Sequence, residues 1–308
     1  MVEKKKRVLV LVPFPMSGEH LGMREAQSKQ IDLGPDLEFT YKPVKWAGTN
    51  FVGPYDYVVG DFTMLEAGLQ AQEDGFDAVC IDTMSDSGVA ALRAVLDIPV
   101  IGPGRTTILT AMMLGNKFGM LVMWERWLGL YKKVMDELGV WDKYAGHQSI
   151  GMAPDRFSLL GGEERVVFPK LLRAGKKLVE ENGADVIILG STSMHQARDF
   201  LAEELPVPVI SPGPTTYAAA LMMINLRLSQ SRKSYPAPVG RSDDYIHGML
   251  DAAAAAAKKG PKIVGAEGQK KKKPAAKQNP ARKTTEKKAV KKKAVKKKAV
   301  KNKPARRS

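Results

Sequence analysis

The chain holds 308 residues, 44% of them hydrophobic, enough for a sizeable core and one or two domains. Its formal charge of +15 divides sharply: from residue 258 onward 22 Lys and Arg stand against Glu267 and Glu286 alone, so the tail carries +20 and the rest −5. The charge therefore gives no ground for a nucleic-acid-binding body, and the single cysteine, Cys80, excludes an internal disulfide and a cysteine-built metal cluster.

The opening MVEKKKRVLVLV has too short an apolar run for a secretory signal, and residues 8–12 read as a first buried strand. A Pro/Gly/Ser loop follows at residues 13–22, then a helix near 23–32 and an alternating strand, LEFTYKPV. Residues 61–74 read as a helix, and FDAVCID is a continuous apolar run of the kind parallel central strands show. The alternation continues through IPVIG, KFGMLVM, ADVIILG and VPVIS, with YIHGMLDAAAAAAKK as a last helix. This pattern predicts an α/β protein with parallel sheets covered by helices. No apolar run approaches the roughly 20 residues of a membrane span, so a cytoplasmic protein without a membrane span is expected.

One stretch repeats. GFDAVCIDTMSDSGVAALRAVLDIPVIGPGRTTILTAMM, from Gly75, matches GADVIILGSTSMHQARDFLAEELPVPVISPGPTTYAAALMM, from Gly183. Thr83 and Ser191 each lie eight residues into their copy, and Pro99 and Pro208 align after a single-residue gap. Fixed-offset similarity marks a duplicated unit. It predicts two similar lobes related by a pseudo-two-fold axis, together a body of residues 1–258. The lobe with Thr83 covers about residues 6–115 plus the C-terminal helix, and the lobe with Ser191 about 116–225. In open α/β sheets ligands settle beyond the carboxyl ends of strands. Thr83 and Ser191 sit at such ends and would flank one ligand from opposite sides.

Two equivalent groups on opposite faces of a carbon suit proton removal from one side and return from the other, the geometry of cofactor-independent racemisation. In LVLVPFPMSGEHLGM, IDTMSDSGVAALRAVLDIPVIG, GADVIILGSTSM and VPVISPGPTTYAAA the chain resembles the aspartate/glutamate/hydantoin racemase superfamily, most of all its hydantoin racemase branch. The resemblance spans roughly residues 6–230. It implies an active site in the cleft between two similar lobes, with no metal and no organic cofactor.

The chain departs from the family where the chemistry sits. The racemases carry a cysteine in each lobe, in patterns like IACFxDPG and LGCxGM; here IDTMSDSG and LGSTSM put Thr83 and Ser191 at those positions. Cys80 lies three residues too early. A free thiol ionises near about pH 8.5 and is readily tuned downward, whereas an aliphatic hydroxyl needs another group to take its proton. Three readings stay open: altered chemistry on a small carboxylate, amide or hydantoin-like molecule, as in the superfamily's maleate isomerases and arylmalonate decarboxylases; a Ser191 nucleophile with a nearby base; or a cleft that only binds.

Thr83 and Ser191 are the first catalytic candidates. Asp82 flanks Thr83, His195 lies four residues after Ser191, and His20 sits in the loop that borders the cleft in the family. Candidate substrate-binding residues are Pro15, Met16 and Ser17 in that loop, Met84 and Ser85, Thr192 and Ser193, and Thr107 and Thr216 after the Pro-Gly turns. Helix capping accounts for many of these hydroxyls equally well. Asp86 reads as the cap of a helix beginning near Ser87, and Trp124, Arg126 and Trp127 as helix packing, with one of them a candidate for the pocket wall. The Lys/Ala/Pro-rich tail, residues 259–308, repeats KKAVK, is expected to be disordered in isolation, and resembles linker-histone-like tails. It would attract nucleic acid or another polyanion without sequence preference and place the protein on the nucleoid, or serve solubility alone. The expectation is an enzyme acting on a small carboxylate or hydantoin-like substrate, open to homo-oligomerisation. The alternative is a non-catalytic binding or scaffold protein tethered to nucleic acid by its tail.

Overall fold

The computed structural model describes residues 5–48, 50–152 and 164–259. The chain divides into two units, Met1–Pro261 and Lys262–Ser308. The disordered tail expected after the last helix lies outside the described residues.

The first half of the body runs β1 (Lys6–Val12), α1 (Glu19–Glu25), β2 (Leu37–Pro43), α2 (Pro54–Gly68), β3 (Ala78–Ile81), α3 (Val89–Val95), β4 (Val100–Ile101) and α4 (Pro103–Leu114). The second runs β5 (Phe118–Val122), α5 (Leu128–Leu138), β6 (Tyr144–Ser149), α6 (Glu164–Glu180), β7 (Val186–Leu189), α7 (Arg198–Glu204), β8 (Val209–Ile210) and α8 (Pro212–Asn225), before α9 (Asp243–Lys258). All pairings are parallel, and the sheet orders β2-β1-β3-β4 and β6-β5-β7-β8 are the same order twice. The protein is thus α/β with two similar lobes. The structural repeat is longer than the sequence repeat: β1 and β5 hold equivalent places although their sequences carry no shared motif.

The central strands read as apolar runs because both faces are covered. In β1, Leu9 and Leu11 pack with Met64 of α2 and Leu92 of α3. Val8, Val10 and Val12 face the other way, toward Cys80, Tyr41 and Tyr217. That division is the two-residue period of a strand buried on both sides.

The last helix of each lobe crosses to the other. Ile108 and Ala111 of α4 belong to the core built on Phe118, Met120 and Ile187 of the second sheet. Tyr217 and Ala220 of α8 belong to the core built on Val8, Val10 and Cys80 of the first. This reciprocal exchange has the symmetry of a pseudo-two-fold axis. Each large apolar side chain so buried contributes roughly 1.5–3 kcal/mol, which ties the lobes into one body. The final helix, α9, docks on α2 through Leu250, 2% exposed, and through His247 Nδ1 at 2.6 Å from Glu66 Oε1.

Two helices start before their expected positions. The segment expected as a helix at 23–32 divides into α1 and a 3₁₀ turn, Ala26–Gln30, with Gly18 at φ 58° admitting the chain into α1. The helix expected at 61–74 begins at Pro54, because proline suits a first turn and Asp56 accepts the N–H groups of Val52 and Gly53 at 2.9 and 3.0 Å. No helix among the described residues is long and apolar enough to cross a membrane.

Candidate active site

Two strand ends meet at the pocket. Strand β3 runs out into Asp82, Thr83 and Met84, and β7 into Gly190, Ser191 and Thr192. The exits are equivalent: the Asp82 N–H donates to Leu11 O at 2.9 Å and the Gly190 N–H to Leu121 O at 2.8 Å. These six residues line one cavity of about 50 Å³, walled further by Pro13, Phe14, Arg24, Asn50, Phe51, Trp127 and Leu130. Its size suits a small molecule and no polymer. The indole N–H of Trp127 is buried and finds no acceptor among the described residues.

Each lobe brings a paired hydroxyl. Thr83 Oγ1 lies 3.2 Å from Ser85 Oγ, which lies 2.7 Å from Ser87 Oγ. In the other lobe Ser191 Oγ lies 2.7 Å from Ser193 Oγ and accepts the Ser193 N–H at 3.3 Å, capping the 3₁₀ turn Thr192–Ala197. Capping and site lining therefore coexist at Ser191. Neither hydroxyl is hydrogen-bonded to a carboxylate or imidazole among the described residues.

The charged groups of the site are Asp82 and Arg24. The Asp82 carboxylate is buried; it accepts from Arg24 Nη1 and from Gln27 Nε2, both at 3.2 Å. Arg24 Nη1 also donates to Thr192 Oγ1 at 2.9 Å, and Thr192 Oγ1 donates to the Asp82 carbonyl at 3.3 Å, so the two strand ends are linked by buried polar contacts. Burial raises the pKa of Asp82 above the ordinary carboxylate range, opposed by Arg24 and by hydrogen bonds. Cys80, inside β3, is fully buried, and burial pushes its thiol well above the usual range.

The remaining candidates lie around the pocket. His195 is 4% exposed, its Nδ1 has no hydrogen-bond partner among the described residues, and burial pushes its pKa down to about 4. Its imidazole is neutral at pH 7, and among the described residues the Ser191 hydroxyl bonds to Ser193 and not to His195. His20 lies half-buried on α1, Pro15 and Ser17 are exposed, and Met16 packs beside the core of β1 and α8; Pro13 and Phe14, just before them, line the pocket instead. Ser85 and Ser193 stand behind Thr83 and Ser191 as their hydroxyl partners. Thr107 and Thr216, fully buried, donate to Pro103 O at 2.7 Å and Pro212 O at 2.8 Å within their own helices.

Asp86 caps a different helix from the one expected. Its carboxylate accepts the N–H groups of Gly104 at 2.7 Å and Arg105 at 2.8 Å, closing the first turn of α4 rather than α3. Asp86 itself sits at φ 50°, and a Cβ on Gly102 would fall 2.4 Å from its Cγ. The loop bearing Thr83 is thereby fastened to α4. In the second lobe the strand end is held from a different helix, α5, by Tyr131, whose hydroxyl donates to Gly190 O at 2.6 Å; a Cβ on Gly190 would fall 2.5 Å from Tyr131 Oη.

Arg24, Asn50, Phe14, Phe51 and Leu130 carry no local signal of their role. They reach the pocket only because α1, the segment before α2, and α5 fold over the strand ends. Gly190 stood within the LGSTSM segment, where its lack of a side chain was visible but its contact was not.

Comparison with known proteins agrees with this architecture. A family model described as Asp/Glu/Hydantoin racemase matches residues 45–220. A hydantoin racemase of Pseudomonas sp. (strain NS671) is 28% identical over 185 residues, 60% of this chain and 73% of that protein. A hydantoin racemase of Paenarthrobacter aurescens is 26% identical over 234 residues, 75% and 97% of the two chains. The solved structure of allantoin racemase from Klebsiella pneumoniae superimposes with a TM-score of 0.70 at 22% identity, covering 77% of this chain and 96% of that one, a likeness of fold. With two like-ordered parallel sheets, a pocket at their paired strand ends and a family match over more than half its length, the chain belongs to the Asp/Glu/hydantoin racemase family of enzymes.

Proposed function

We propose that the pocket between the lobes is the active site of a cofactor-independent enzyme acting on a small carboxylate, amino acid or hydantoin-like molecule, by racemisation, isomerisation or bond cleavage. One observation carries the reading: Thr83 and Ser191, at equivalent strand ends of the two copies, line the same small cavity. The naming of two sequence relatives as hydantoin racemases supports the hydantoin-like member of that substrate range. Without thiols, the two hydroxyls serve as donors to developing negative charge on either face of the ligand, in the manner of an oxyanion hole. Asp82, the carboxylate of the pocket, moves the proton.

Thr83→Ala and Ser191→Ala test this. Each is expected to lower turnover of hydantoins, allantoin or arylmalonates by at least about 100-fold, the loss typical of one oxyanion donor. Full activity in both variants refutes the assignment. A second reading, a ligand-binding protein without catalysis, is favoured by the hydroxyl chains, which end on Ser87 and Ser193 without a base. It predicts binding of the same molecules with no turnover. In either reading the +20 tail attracts nucleic acid through counterion release, and its lack of aromatic residues leaves base recognition without a stacking surface. A cytoplasmic location fits these roles.

A further inference from the structure

Positions 82 and 190 are equivalents, yet they are filled differently. The second lobe closes its strand end with Gly190 and the neutral Tyr131 hydroxyl. The first lobe puts a buried ion pair in the same place, with Asp82 1% and Arg24 10% exposed at their side chains. Burying two charges is weak support for a fold, since desolvation offsets the attraction, and the second lobe manages without them. The pair is also loose: 3.2 Å exceeds the about 2.7–2.9 Å of a tight charge-assisted bond. Arg24 lines the pocket, and its Nε and Nη2 make no hydrogen bond among the described residues.

Resting on the reading of this pocket as the substrate site, we propose that it takes a small carboxylate whose anionic group docks on the free edge of Arg24, and that Asp82 takes up one proton from solvent as it does so. A ligand carboxylate on Arg24 offsets the charge that steadies the Asp82 anion. The other titratable groups facing Asp82 offer no better home for the proton. Tyr41, Cys80 and Tyr217 are held in their protonated, neutral forms by burial, and His195 is held neutral by burial and by the neighbouring Arg24. Gln27 supplies an independent sign: its Oε1 is buried with no donor, while its Nε2 serves the Asp82 anion. Rotation of that amide lets Oε1 accept from a protonated Asp82. Asp82 thus becomes a neutral acid beside Thr83 only when the pocket is filled.

Titration calorimetry of the full chain at pH 7, in buffers of different ionisation heat, reads the proton directly, with malonate and lactate as carboxylate probes and neutral hydantoin as control. The wild type is expected to bind the carboxylates with uptake approaching one proton. Arg24→Lys, which keeps a cation beside Asp82, is expected to weaken the carboxylates at least 10-fold and to weaken hydantoin by less. Asp82→Asn, close in shape, is expected to bind them at least as tightly with no proton uptake, and this arm decides if Arg24→Lys does not fold. No carboxylate binding at millimolar concentration, undiminished affinity in Arg24→Lys, or uptake that persists in Asp82→Asn each overturns the proposal. Hydantoin bound and turned over without carboxylate binding refutes this inference and leaves the active-site reading standing; turnover surviving both alanine variants refutes that reading instead.

Discussion

Removing the carboxylate of Asp86 should destabilise the protein most in acid, the reverse of the usual behaviour of a helix cap. Asp86 satisfies two N–H groups of α4 at 2.7 and 2.8 Å from a site only 7% exposed, and burial pushes its pKa up from 3.8 to about 6. Orphaning two such donors costs about 1–2 kcal/mol each. The gap between 3.8 and about 6 is worth about 3 kcal/mol between protonation states. Because the folded-state pKa is raised, the contribution of the proton is fully present below about pH 3.8 and is lost as pH rises through about 6. About 2 kcal/mol of it disappears between pH 4.5 and 7.5. Asp86→Ala should therefore cost about 2–4 kcal/mol at pH 4.5, plus about 1 kcal/mol for placing alanine at φ 50°, and about 2 kcal/mol less at pH 7.5. Asp86→Asn tolerates the left-handed backbone and keeps one acceptor, so it should cost about half as much. Urea unfolding of the three proteins at both pH values measures this, and the melting temperature should move by about 2–4 °C per kcal/mol. A penalty that grows with pH, or one below 0.5 kcal/mol at pH 4.5 (about the noise of a neutral surface change), refutes the assignment of Asp86 as the buried cap of α4.

His195 acts in the opposite direction: its folded pKa near 4 lies below the ordinary 6.5, so its contribution is lost as pH falls from 6.5 toward 4, by up to about 3 kcal/mol. His195→Gln should flatten that acid limb in a pH series of unfolding curves. Gly190→Ala drives a methyl into the Tyr131 hydroxyl and should cost about 1–3 kcal/mol and displace Ser191, whereas pairing it with Tyr131→Phe should restore part of the stability in a double-mutant cycle. Deleting residues 260–308 should leave turnover unchanged and abolish nucleic-acid retention, whose logarithm in the full chain should fall linearly with the logarithm of salt in a gel-shift series.

The α/β class, the doubled lobe and the pairing of Thr83 with Ser191 were legible in the chain because they rest on short-range patterns: apolar runs of strand length, Pro-Gly helix starts, and a repeat at fixed offset. Those same patterns could not reveal β1 and β5 as equivalents, since a buried strand needs only apolar bulk and keeps no shared motif. Nor could they separate Thr83, on the pocket wall, from Thr107, bonded back into its own helix, for each is a threonine in the stretch that leads from a strand into the next helix.

What the sequence determined alone is therefore local and periodic: which segments become strands or helices, and which two hydroxyls follow equivalent strands of a duplicated unit. Tertiary structure alone decided the exchange of α4 and α8 between lobes, the fastening of the Thr83 loop by Asp86, and the meeting of Arg24 with Asp82 across 58 residues of chain. Each of those depends on side chains distant in sequence competing for one buried volume and one set of unsatisfied polar groups, and a one-dimensional pattern carries no record of that competition.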